Sequence, residues 1–191
     1  MTKKYCLTEE TMYTMHGVCL HRIKALVDID SIGLKAGDLG GWIEKDENLS
    51  QDGEAWVNDE ARVFGNARVF GNALVMGEAR VFENAQVYGN AMVYGYSSVR
   101  ANARVFNQAK VCGIEHAAKI TGNAMIYDQA RVIESVVGGR AKVHGCSKVV
   151  NNSRIFSKRG TVDICGHAYI DNLYFTAGSL VVYGNAKIHC C

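Results

Sequence analysis

Histidines, cysteines and regularly spaced arginines are the side chains of this chain that could do chemistry. An imidazole titrates near neutrality and can act as a general base, and a neighbouring carboxylate can orient it. Glu115 and His116 form such a pair and are the candidate catalytic residues. Of the other histidines, His144 and His167 stand directly beside strand positions and read as ordinary outward residues. No nucleophile–base–acid set, phosphate-cradling glycine loop or metal-ligand spacing accompanies them, so neither a metal nor a cofactor is expected. The seven cysteines (6, 19, 112, 146, 165, 190 and 191) lack CxxC spacing. They read as free thiols of a reducing cytoplasm, with the Cys190–Cys191 tail too short to define a site.

Arginines alternate with aromatic residues at Arg62-Val63-Phe64, Arg68-Val69-Phe70, Arg80-Val81-Phe82 and Arg104-Val105-Phe106. Arg offers a forked donor set to phosphate or carboxylate and a flat face for stacking, so these eight residues are candidate contacts for an anionic or planar ligand. Glu60, Glu78 and Glu83 lie nearby, and the net charge is only +2. That balance argues against duplex nucleic acid. Met1 to Lys4 lack the apolar run of a secretory signal, and no window reads as a membrane span, so a cytoplasmic protein is expected.

The elements that must position these residues follow from a repeat. Valine recurs at 57, 63, 69, 75, 81, 87, 93, 99, 105 and 111, with a small residue two places before each, from Ala55 to Ala109. Ala-x-Val is a short strand whose small residue and valine face one side while the residues flanking valine face the other. A helical period would scatter the valines. Gly65-Asn66, Gly71-Asn72 and Gly89-Asn90 supply corners. Such a unit cannot bury apolar surface alone, so successive turns must stack into a parallel β-solenoid. The complete absence of proline suits a chain that uses nearly every N–H.

The pattern Val63-Phe64-Gly65-Asn66-Ala67-Arg68 resembles the hexapeptide-repeat, left-handed β-helix superfamily. That resemblance implies left-handed coils of three hexads, eighteen residues each. Stacking every eighteenth residue then defines three outer faces. The first carries Trp56, Leu74 and Met92 before the valines and Asn58, Met76 and Tyr94 after them. The second carries Arg62, Arg80, Phe64 and Phe82, and the third Arg68, Arg104, Phe70 and Phe106. The first is an apolar stripe, so Trp56, Leu74, Met76, Met92 and Tyr94 are expected in a dimer or trimer interface. The competing expectation is that another segment of the chain folds over it.

The regular repeat spans 55–111, and residues 112–191 read as an irregular continuation. Three extra residues fall around Gly113 to Ala117, the register shortens before Val143, and it slips again before Ile164. Residues 1–50 differ and read as an N-terminal β cap on a solenoid of residues 51–191, with the indole of Gly40-Gly41-Trp42 over its open end. This segment joined to Ala-x-Val repeats resembles phage and prophage solenoid proteins usually labelled only as polymer-forming or as transferases.

The sequence therefore points to a non-catalytic binding or scaffolding solenoid. The resemblance implies phage or prophage origin, a host protein or small anionic ligand as partner, and inhibition of a host process in the host cytoplasm. The alternative it implies is an acyltransferase that works as a trimer, with acetyl-CoA between subunits and His116 as base.

Overall fold

A computed structural model describes residues 3–157 and 159–190. The described residues are almost entirely strand and turn, with two three-residue 3-10 turns at Asp30–Ile32 and Asp46–Asn48. Each hexad gives a strand of two to four residues, and the strands stack into three parallel sheets, about eight turns deep.

The three-hexad coil is visible in the registers. Trp56 pairs with Leu74 and Leu74 with Met92 on the first face. Arg62 pairs with Arg80 and Arg80 with Ser98 on the second, and Arg68 with Gln86 and Gln86 with Arg104 on the third. The valines and alanines of the repeat are fully buried, so the interior is a column of branched side chains beside a column of methyls. Serine enters the small column without a polar penalty. Ser97, Ser147 and Ser153 each donate to the carbonyl three residues earlier, at 2.7 Å, which satisfies the buried hydroxyl.

Corners adopt the left-handed conformation once per hexad. Glycine takes many of them (Gly65, φ 69°; Gly71, φ 72°), but Glu83, Ala101 and Asn107 adopt it too, at φ 59–60°. Outside the corners runs a ladder of amides from Asn66 through Asn84 and Asn102 to Asn123, each donating to the next coil at 3.1–3.3 Å.

The N-terminal segment is continuous with the solenoid. Strands β1 (Tyr5–Tyr13) and β2 (Cys19–Ala25) form an antiparallel hairpin, β2 pairs with β3 (Leu39–Ile43), and β3 pairs in parallel with the Arg62–Val63 strand. The position of the indole differs from expectation. Trp42 is in register with Arg62, on the outside of the sheet, where Arg22 lies over its ring at 4.9 Å and its Nε1 donates to Glu60. Ile43 takes the inward place, and Tyr5, Ile23 and Leu49 join the buried core at this end. The adjacent glycines are there for close approach. A Cβ on Gly40 would lie 2.6 Å from Ile23 Cγ1 and 2.7 Å from Trp56 Cζ2.

The irregular half keeps the stack by varying coil length. Val111 pairs with Val132, twenty-one residues on, and the extra residues Ile114 to His116 project at one corner. Val132 pairs with Val149, only seventeen on. The shortening lies before Val137 and not before Val143: Ser135 fills the small column there and Val137 the large one, a hexad that the Ala-x-Val template passes over. A strand at Tyr174–Phe175 closes another turn. No described helix is long and apolar enough to cross a membrane.

Candidate functional site

The third face holds the longest ordered array of side chains on the outside of the molecule. The position after each inward residue carries Phe70, Tyr88, Phe106, Tyr127 and then His144. Parallel stacking sets these rings directly above one another, with centroids 4.6–5.0 Å apart and planes within 3–4°. This matches the strand spacing of about 4.8 Å, so the ladder follows from the register. All five rings are half-buried, each with an edge open to solvent. Burial, helped by the carboxylates of Asp163 and Asp128, holds the Tyr127 hydroxyl above its ordinary pKa.

Before the inward residues, the same face carries Arg68, Gln86, Arg104, Met125 and Lys142. Arg68, Arg104 and Lys142 are exposed, and none makes an ion pair among the described residues. Arg68 lies 5.8 Å from the Phe70 ring centre, a loose cation–π contact. At the N-terminal end of the ladder, a depression carries both signs of charge, with Lys45 and Arg68 beside Asp46 and Glu47, and Phe70 at its edge. The arrangement can present cations beside a flat aromatic strip.

The eight Arg and Phe candidates therefore do not share one surface. Arg62, Arg80, Phe64 and Phe82 lie on the second face, where Phe64 and Phe82 stack at 5.1 Å and Arg100 ends the series. Arg68, Arg104, Phe70 and Phe106 lie on the third. Rings stack on rings, and the arginines lie in a separate column, where Gln86 stands between Arg68 and Arg104.

The apolar stripe of the first face is partly covered from within the chain. Trp56 is 1% exposed and packs edge-on to Tyr5 at 6.4 Å, so it cannot contribute to an interface between subunits. Ile32 and Leu34 fold beside Leu74 and Met76. Leu74, Met76, Met92 and Tyr94 remain half-buried.

At the Ile114–His116 corner, the His116 side chain is 60% exposed. Its carboxylate neighbour is Glu134 of the next coil, at 4.0 Å, and not Glu115. Glu134 Oε1 accepts the backbone N–H groups of Glu115 (2.8 Å) and His116 (3.5 Å). The Glu115 amide above all, with those of His116 and Ile114, holds the Glu134 carboxyl below the usual carboxylate range. Glu134 thus ties the corner down through Oε1, while its Oε2 is the oxygen 4.0 Å from the imidazole, beyond hydrogen-bonding distance.

Sequence reasoning missed one cluster. His144 Nε2 lies 2.8 Å from Asp163 Oδ1, and ligating atoms of His144, Asp163 and Cys165 all fall within 4.8 Å of one another. The signal was present in the repeat: His144 and Cys165 each follow an inward residue, as the ring-ladder residues do. Reading it requires carrying the register through one coil of seventeen residues and one of twenty-one.

Comparison with known proteins returns one family model, described as the YdcK beta solenoid repeat, which matches residues 61–77 and 85–100. The match falls within the regular hexads and agrees with the stacked coils, so the chain is similar to that repeat along this stretch. No curated protein matches the chain.

Proposed function

We propose that this protein is a non-catalytic binding solenoid that recognises an anionic partner through its third face. The observation that carries this reading is the ring ladder flanked by Arg68, Arg104 and Lys142, three exposed cations with no ion pair among the described residues. An unpaired guanidinium beside an aromatic edge can meet a carboxylate or phosphate with its fork and an apolar group with its flank. The face is broad and flat, which suits an acidic surface of a host protein better than a small enclosed ligand. Phage or prophage origin, action in the host cytoplasm and inhibition of a host process extend this proposal and rest on the sequence resemblance. Assembly into a dimer or trimer through Leu74, Met76, Met92 and Tyr94 is also part of it.

Acyl transfer from acetyl-CoA with His116 as base is the second reading. It has less support, because the corner is short, the imidazole is exposed and Glu134 Oε2 lies 4.0 Å from it, too far to orient it by a hydrogen bond.

The test is binding of a poly-glutamate peptide, measured by calorimetry at about 0.15 M salt, where charges on other faces are screened. Reversing Arg68, Arg104 and Lys142 to Glu should abolish the heat of binding. Reversing Arg62 and Arg80 on the second face should change the affinity by less than about threefold, the residual effect of screened distant charge. Equal losses from both variants, or no binding by the parent protein, would overturn the proposal.

A further inference from the structure

The ring ladder ends in a group of different chemistry. Along the third face, the position after the inward residue passes from Tyr127 to His144 to Cys165. Asp163 and Cys165 flank the buried Ile164, so strand alternation directs both outward on the same side. His144 belongs to the preceding coil, where Val143 pairs with Ile164. The three donors thus stand on two adjacent, hydrogen-bonded strands, with the His144 N–H donating to Ile164 O at 2.8 Å. All three residues are half-buried.

We propose that His144, Asp163 and Cys165 form a site for a divalent transition metal of the zinc class. The donor set is imidazole nitrogen, carboxylate oxygen and thiolate sulfur, which suits a borderline-soft ion and excludes magnesium or calcium as the preferred occupant. A tetrahedral ion with bonds of about 2.0–2.3 Å needs ligand atoms roughly 3.3–3.7 Å apart, so the cluster requires only small side-chain shifts. Three protein ligands leave a fourth position open to solvent.

The surroundings of His144 fit this role. Tyr127 stacks on the imidazole at 4.6 Å and 3°, which fixes the plane of the ring. With Nε2 facing Asp163, the other nitrogen, Nδ1, faces Asp128 Oδ2 at 3.8 Å. Asp128 is itself held, accepting from Gly145 N at 3.3 Å and from Asn107 Nδ2 at 3.0 Å. At that distance Asp128 is a nearby negative charge and not a hydrogen-bond acceptor for the imidazole.

Cobalt(II) titration of the reduced full-length protein tests the proposal. One cobalt should bind per chain, with the ultraviolet charge-transfer band of a cobalt–thiolate bond and the visible spectrum of a tetrahedral ion. Zinc should displace it. Cys165→Ser should abolish the charge-transfer band, and His144→Ala should weaken binding at least about tenfold. Cys146→Ser and a Cys190→Ser/Cys191→Ser double variant should leave the band intact. Absence of a thiolate band in the parent protein, or a band that survives Cys165→Ser, would overturn the assignment. The parent titration alone can do so, whatever the variants do to folding.

Discussion

At the scale of single residues, the solenoid has a few points where local backbone or burial works against it. Ala101 sits at a corner with φ 59°, where a Cβ crowds the following carbonyl. Ala101→Gly should therefore raise stability by about 0.5–1 kcal/mol, less than the full left-handed penalty because glycine also loosens the unfolded chain. Urea denaturation with an unchanged m-value checks this. Lys4 is the other point. It is 4% exposed, and its Nζ donates to Ala55 O at 2.8 Å and Gly53 O at 3.2 Å. Burial lowers its pKa to about 8 from 10.5, opposed by Asp52 and Glu54. The unfolded chain therefore binds more protons between pH 8 and 10.5, and stability should rise with pH across that window, by at most about 1.4 kcal/mol per pH unit. The neighbouring Tyr5 hydroxyl, pushed upward by burial, acts in the opposite direction once free tyrosine ionises, above about pH 10. Lys4→Met should remove the rise between pH 8 and 10, as read from denaturation midpoints.

At the scale of elements, the ring ladder is both a structural device and the proposed recognition surface. Phe106 lies between Tyr88 and Tyr127, at 4.9 and 5.0 Å. Phe106→Ala removes two stacked contacts and some half-buried area, and should cost about 2 kcal/mol, whereas Phe106→Tyr should be neutral within about 0.5 kcal/mol. Chemical denaturation of both variants checks the pair. The ladder also shows how far the sequence could be read. Period six and the small-residue column specify the buried face at every regular hexad, because an even period preserves inside and outside. The rings at Phe70 and Phe106 are legible on the same grounds. Tyr127 and His144 are harder to place, because the Ile114–His116 excursion and the short coil after Val132 shift the count. Ser135 in the small column hides a whole hexad for a chemical reason: its hydroxyl is satisfied by Ile133 O at 2.8 Å, so the core accepts it as it accepts alanine. The place of Trp42 is not legible in the sequence, because glycines near an indole say that chains approach closely, but not on which side of the sheet the indole lies.

At the scale of the whole molecule, the arrangement is a rigid prism with different chemistry on each face. The first face is apolar at its N-terminal end and partly covered by Ile32 and Leu34. The second carries arginines with a single ring pair, and the third the ladder and its cations. β3 covers the edge of the Arg62–Val63 strand, and the hairpin of β1 and β2 in turn covers β3. Stacked coils each touch only their neighbours, so this end governs how readily unfolding starts there. A preformed surface of this kind suits recognition, and binding is preferred to catalysis because the third face sets cations beside the ring ladder while the Ile114–His116 corner is short and His116 exposed. The most direct test of that preference is native mass spectrometry of the purified protein, with and without acetyl-CoA. The account predicts a dimer or trimer whose mass is unchanged by acetyl-CoA. A trimer that takes up CoA mass stoichiometrically, and loses it in His116→Ala, would contradict it.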